Sequence, residues 1–203
     1  MTIHPTAVVH QHAVIGKNCY IGPFCYVGPN VTMGDNNRLE SHVVVGTPAE
    51  HRLYMEKFGP VIIGNANVLR EFVTVQGGTQ WITKIGTGCT ILRHAHISHD
   101  TVIEDDVTIS CDVLIGGEGR VMRGANLGLG CVLHQRQLVG SWAMVGMNST
   151  VTRKDVILPG QKYAGSPVKH LGRNTIAMER KGVSDVLLDS ETQRFYSLRQ
   201  SME

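Results

Sequence analysis

The densest concentration of reactive side chains is the run His94-Ala95-His96-Ile97-Ser98-His99-Asp100, which holds three imidazoles and a carboxylate. A neutral imidazole near physiological pH can take a proton from a hydroxyl or amine as it attacks a carbonyl, and an adjacent carboxylate can orient it. Alternation along a strand turns His96 and Ser98 outward if Ile97 points inward, and leaves His99 near a turn, open to solvent. Two other readings stand beside this one. The histidines can simply decorate a corner, or the four-residue gap between His94 and His99 can belong to a zinc site. The third ligand would have to come from about one coil earlier, where Val73-Thr74-Val75-Gln76 provides no histidine. A second polar set follows in Gly116-Gly117-Glu118-Gly119 and Leu133-His134-Gln135. The cysteines Cys19, Cys25, Cys89, Cys111 and Cys131 lack Cys-x-x-Cys spacing and read as small buried hydrophobes rather than disulfide partners or metal ligands.

These residues are positioned by a repeat. An aliphatic side chain recurs at every sixth residue from Val9 to Val45, from Ile63 to Val75 and from Ile85 to Val151. The residue two places earlier is usually small, as at Ala7, Cys19 and Ala95, and the following residue is often glycine, as at Gly22, Gly116 and Gly128. A period of six matches neither a helix face nor an alternating hairpin. It matches a parallel β-helix, in which three hexads make one triangular coil and coils stack about 4.8 Å apart. The pattern predicts about seven coils and a prism roughly 35 Å long by that spacing. A coil of about eighteen residues places Gly117 one coil below His99 and Gln135 two coils below it, so the Gly117 N–H could donate to an oxyanion near the base. The repeat breaks at about 47–60 and 77–82 and stops after Lys154. Turn residues follow at Pro159-Gly160 and Gly165-Ser166-Pro167. Helical pattern begins near Asn174 and breaks at Gly182. It resumes with Ser184 as N-cap and Val186, Leu187, Phe195 and Leu198 on an apolar face. Ser190 with Gln193 offers an alternative capping box. The expected division is residues 1–154 for the solenoid and 155–203 for a linker and helical region.

Composition limits the function classes. Nineteen basic and seventeen acidic residues give a net charge of +2, with no basic run, so a nucleic-acid surface is not expected. The first residues lack a signal-peptide pattern and no apolar run reaches the length of a membrane span, so a soluble, cytoplasmic protein is expected. Aromatic residues make up only 5% of the chain while glycines number 23, which suits an interior too narrow for rings.

The hexads, together with Ile21-Gly22-Pro23-Phe24-Cys25-Tyr26-Val27-Gly28-Pro29, Glu40-Ser41-His42-Val43-Val44-Val45-Gly46, the His94–Asp100 run and Val132-Leu133-His134-Gln135, resemble the acyl-carrier-protein-dependent UDP-N-acetylglucosamine O-acyltransferases that begin lipid A synthesis. The resemblance covers nearly the whole chain. It implies an all-β solenoid, a left-handed parallel β-helix with a short α-helical C-terminal region, assembled as a homotrimer with sites between subunits. It implies His99 as general base, Asp100 as its orienting partner and Gly117 as oxyanion donor. It implies substrate contacts at His96, Glu118, His134, Gln135, Asn174 and Arg180, and Met147 at the position that limits acyl-chain length. No bound cofactor or metal is implied, the donor being an acyl carrier protein thioester or acyl-CoA and the acceptor a nucleotide sugar. Arg173, Arg180 and Lys181 are candidates to meet the carrier's acidic helix. Departures from the family pattern are Glu118 in place of a histidine, Gln76 in place of another, and Glu50-His51-Arg52-Leu53 in place of Gln-Asp-x-Lys. The alternatives are an acetyl-CoA-dependent sugar acetyltransferase, for which Tyr163-Ala164-Gly165-Ser166-Pro167-Val168-Lys169 is the relevant segment, a zinc hydratase, and a β-helical binding protein without catalysis.

Overall fold

The computed structural model describes residues 1–202; Glu203, the last residue of the expected C-terminal region, lies outside the described residues. Three sheets of ten, eight and seven strands, parallel but for the last strand, form the sides of a prism, and up to Val151 successive strands pass from one sheet to the next. Each hexad makes a strand of two to four residues and a corner. The recurring aliphatic residue points inward, so Ile21, Val27, Leu39, Val45, Leu69 and Val75 are all fully buried. Similar small and branched side chains therefore stack in columns, and burying them with the backbone pairing of adjacent coils supplies the core. Four of the cysteines lie in those columns, and burial pushes Cys89 up to about 11 and Cys131 up to about 12. All five are free.

The parallel pairing runs farther than residues 9–151. Ile3 pairs with Ile21 at the start, Val139 bridges to Ile157, and the strand Gln161–Ala164 pairs parallel with Met144–Val145. Ile157 and Tyr163 keep the six-residue phase of Val151, and the Pro159-Gly160 turn between them hides it. Lys169–Arg173 then folds back antiparallel on Gln161–Ala164 and closes the end of the ten-stranded sheet. An antiparallel final strand covers an edge that would otherwise offer unpaired backbone groups.

Two helices follow, α1 (Thr175–Arg180) and α2 (Asp185–Met202). Ser184 caps α2, its Oγ accepting from the Leu187 N–H at 3.2 Å, and Gly182 between the helices adopts φ 62°. Ser190 and Gln193 lie inside α2. The helix packs along the seven-stranded sheet: Phe195 is fully buried against Met122 and Leu138, with Leu158, Leu198 and Met202 around it. Polar contacts tie it down, Ser141 donating to Glu191 at 2.6 Å and Arg194 pairing with both Glu104 and Glu191. The expected apolar face is only half used. Val186 is 80% exposed and Leu187 is 40% exposed, because in that turn it is Leu188 that rests against Gly160 of the prism.

Candidate active site

His96 lies on the eight-stranded sheet, in register with Thr74 above and with Leu114, Val132 and Thr150 below. The corner that follows this strand carries His99 and Asp100. Backbone bonds from the Glu118 N–H to the His99 carbonyl and from the Arg136 N–H to the Gly117 carbonyl, both 2.9 Å, stack Gly117 and Gln135 beneath His99 as the coil arithmetic predicts.

His94 belongs elsewhere. It precedes the strand His96–Ile97 and sits at the opposite corner, where its Nδ1 is 3.3 Å from Asp112 and its ring packs on Phe72. The expected cluster of three imidazoles around one corner is thus divided, because a strand separates His94 from His99, and the two rings are not a ligand pair. Phe72 in turn stacks on His42 and His42 on Phe24, making a ladder along that second corner.

Both interruptions of the repeat leave from the corner that bears His99. The segment 48–60 follows Val44–Thr47, and the segment 77–82 follows Thr74–Gln76, in the two coils directly above. The nearer segment wraps the Asp100 carboxylate. Thr79 N–H and Trp81 N–H donate to its Oδ1 at 2.8 and 2.9 Å, and the Thr79 hydroxyl donates to Oδ2. Oδ2 is also 2.9 Å from His99 Nδ1. Burial by itself would raise the Asp100 carboxyl, but the bonds from Thr79, His99 and Trp81 outweigh it and hold the group below its ordinary value. An ionised carboxylate only accepts, so the proton between the two residues rests on His99 Nδ1 and the lone pair is at Nε2. A general base needs that tautomer.

Gly117 completes the geometry. A Cβ placed there would lie 2.7 Å from both Nε2 and Cε1 of His99, so only glycine lets the imidazole rest against this corner. The Gly117 N–H donates to no group among the described residues. The same is true of His99 and Gln135 one coil above and below, since the repeat frees the N–H at this corner position. At Gly117 the freed donor sits next to the His99 imidazole.

Along the face, His96 Nδ1 is 2.7 Å from the Thr74 hydroxyl, and burial lowers its imidazole below the ordinary value against an opposing effect from Glu50. Ser98 donates to Gln76 at 3.1 Å. Glu50, His96, Ser98, Leu114, Gly116 and Val132 line a groove of about 390 Å3. From the farther segment, His51 meets the His99 ring edge to face with centroids 5.7 Å apart. Reading the residues singly missed the contacts of His51, Thr79 and Trp81 with the dyad. A signal was present, because the hexad residues before the two loops, Val45 and Val75, share a column with Ile97.

The other expected contacts do not all converge. His134 and Gln135 are exposed below the dyad, the His134 ring bonding to the Gln135 carbonyl at 2.9 Å. Glu118 turns from the groove to make a two-pronged pair with Arg136 at 2.9 and 3.0 Å. Met147 is 65% exposed at the corner preceding the strand Thr150–Val151, across the face from His99. Asn174 is buried and spends its amide on the Trp142 carbonyl at 2.9 Å, so within one chain it is a bracket for the helical region rather than a groove residue. Arg180 is exposed at the end of α1, and Arg173 is paired with Asp185.

The description "bacterial transferase hexapeptide (six repeats)" matches residues 12–47. The chain is 30% identical over 80% of its length to the acyl-[acyl-carrier-protein]–UDP-N-acetylglucosamine O-acyltransferase of Gloeothece citriformis, 59% of which is covered. It is 31% identical over 75% of its length to the enzyme of that name from an Anaeromyxobacter species, 60% of which is covered. The chain therefore spans about three fifths of the length of these curated relatives. A crystal structure of the acyltransferase from Acinetobacter baumannii superposes with a TM-score of 0.79 at 27% identity, covering 95% of this chain and 82% of that one. By its repeat, its alignment and its solenoid, the chain is similar to the hexapeptide-repeat transferases and, among them, to the UDP-N-acetylglucosamine O-acyltransferases.

Proposed function

We propose that the protein is an acyltransferase that moves an acyl group from a carrier-protein thioester to a hydroxyl of a UDP-N-acetylglucosamine-type nucleotide sugar, the chemistry that opens a lipid A type pathway. The observation that carries this reading is the His99–Asp100 dyad at 2.9 Å, with its carboxylate fixed by the 77–82 segment and the unspent Gly117 N–H one coil below. His99 Nε2 takes the hydroxyl proton as the acceptor oxygen forms its bond to the thioester carbon, and the imidazolium is stabilised by Asp100. The carbonyl oxygen becomes an oxyanion that accepts from the Gly117 N–H. Collapse of the tetrahedral species breaks the carbon–sulfur bond, and the departing thiolate takes the proton back from His99, so the enzyme is regenerated and no cofactor is consumed.

The reading includes a homotrimer. Met147 and Arg180 face away from His99 within one chain, and a second copy is the means of presenting them to the groove. Acyl carrier protein is the donor in this reading, the cytoplasm its location, and Met147 the side chain that shortens the acyl groove. No helix is long and apolar enough to cross a membrane among the described residues.

A thioester-release assay tests the reading, with UDP-N-acetylglucosamine as acceptor and a series of acyl carrier thioesters set beside acetyl-CoA. Turnover with medium-chain carrier thioesters supports it. Turnover with acetyl-CoA alone moves the protein to sugar acetylation while keeping the base, and no release with either donor overturns the proposal.

A further inference from the structure

The inward side chains two places before the recurring aliphatic ones follow a rule of their own. Where such a side chain donates, it reaches the carbonyl of a residue just after a hexad strand, fifteen residues on and one coil below. Cys25 bonds in this way to the Glu40 carbonyl at 2.8 Å, Cys89 to the Glu104 carbonyl at 3.1 Å, and Gln137 to the Thr152 carbonyl. For Thr101 the same count leads to Gly116. That bond is not made. Thr101 Oγ1 and Gln137 Oε1 are the two buried side-chain oxygen or nitrogen atoms left without a partner among the described residues.

Both lie next to Gly119. The Val102 N–H donates to the Gly119 carbonyl at 2.9 Å and the Arg120 N–H to the Gln137 carbonyl at 2.7 Å, so Thr101, Gly119 and Gln137 stack in one inward column just inside the His99 corner. Thr101 and Gln137 are buried in that column, and Gly119 brings no side chain to it. A Cβ at Gly119 would lie 3.1 Å from the Gly116 carbonyl oxygen and 3.0 Å from Ile115 Cγ2; apart from its chain neighbours, nothing else comes closer than 3.9 Å. The Gly116 carbonyl thus points inward at this column, and it accepts no hydrogen bond among the described residues. Buried polar groups without a partner are costly, and an interior water makes about three hydrogen bonds to groups of this kind. The count fits: two carbonyl oxygens that only accept and one hydroxyl that donates match the two donors and the acceptor of a single water.

We propose that a water molecule is held inside the prism beside Gly119, donating to the Gly116 carbonyl and Gln137 Oε1 and accepting from the Thr101 hydroxyl, and that it aims the Gly117 N–H. The Gly116 carbonyl and the Gly117 N–H share one planar trans peptide and point in opposite directions. Fixing the carbonyl inward fixes the N–H outward, on the side where Gly117 meets the His99 imidazole. A bond to the carbonyl also polarises the N–H. The aiming role rests on the reaction proposed above; the water site does not.

Gly119 lies outside the left-handed region, so other residues fit its backbone. Gly119→Ala and Gly119→Ser set the same Cβ against Ile115, and only serine returns a hydroxyl to the place of the water. Thr101→Val removes one partner and keeps the shape. Crystals of the full chain are expected to show an ordered water within about 2.5–3.2 Å of Thr101 Oγ1, Gln137 Oε1 and the Gly116 oxygen, and to lose it in Gly119→Ala. The Gly117 amide proton, followed by NMR, is expected to move to higher field in Gly119→Ala and in Thr101→Val, as its peptide carbonyl loses a donor, and to return toward the wild-type position in Gly119→Ser. In the thioester-release assay kcat is expected to fall by about tenfold in Gly119→Ala with KM unchanged, and to recover in Gly119→Ser. A wild-type crystal in which the Thr101 hydroxyl bonds directly to the Gly116 carbonyl, or in which no water lies between them, overturns the proposal. So does a Gly117 amide proton that is the same in all four proteins, or equal kcat in the alanine and serine variants. The crystal and NMR readouts need no substrate, so a wild type without turnover counts against the reaction and not against the water.

Discussion

The proposed chemistry would require little side-chain machinery at the His99 corner. In that reading Asp100 sets the tautomer, His99 carries the proton, and Gly117 offers its N–H and leaves room for the imidazole. Under the proposed reaction, His99→Ala is expected to lower kcat by about 10²–10⁴, the usual value of a general base, with far-UV circular dichroism unchanged. Gly117→Ala places a methyl 2.7 Å from the ring atoms of His99, so the imidazole must move. The expected result is a fall in kcat of at least about tenfold with KM little altered, because a displaced base costs transition-state rather than ground-state contacts. Asp100 also links the site to acid stability. Its folded carboxyl lies below the unfolded value of about 3.9, so its contribution is complete above that pH and is lost as the pH falls through the lower, folded value. Urea unfolding of the wild type should therefore weaken with acid below about pH 4, and Asp100→Asn should flatten that part of the curve. The bond partners of Asp100 were not legible one residue at a time. Thr79 and Trp81 stand about twenty residues away in sequence, and a loop folded onto a carboxylate leaves no periodic trace.

The strands and their columns were legible because a period of six is a property of sequence. So were the two loops at 47–60 and 77–82, and the Ser184 cap. The helix α2 was legible as a helix but not in its docking. Phe195 fills a hollow between Met122 and Leu138, side chains of the seven-stranded sheet that stand outside the inward-facing column, so their place under a helix carries no repeat signal. Removing that ring in Phe195→Ala is expected to cost about 3–5 kcal/mol of the docking energy. Proteolysis at α2 should accelerate while the β-sheet signal by circular dichroism persists; simultaneous loss of both would show that helix and solenoid unfold as one unit. The 77–82 segment makes a second test. Thr79→Val deletes the hydroxyl bond to Oδ2 but keeps the Thr79 N–H, so activity should fall by less than in Asp100→Asn, and a loss as large would make the hydroxyl the principal anchor.

Viewed whole, the prism is a stack of nearly identical coils with one complex corner. A single chain brings His99, Asp100 and Gly117 together at one corner, but holds Met147 and Arg180 away from them. Sedimentation velocity should find a trimer if the groove is completed by a second copy, and a strictly monomeric protein with full turnover would exclude shared sites. The amino-acid order was sufficient for the repeat, the stacking of Gly117 under His99 and the family resemblance, because each follows from counting along a chain whose coils are of nearly constant length. Three results required the folded molecule: the separation of His94 from His99, the diversion of Glu118 to Arg136 and the burial of Asn174. Each depends on which direction a side chain leaves its corner and what it meets there. That is a matter of contacts between coils, helix and loops, and no spacing along the chain encodes it.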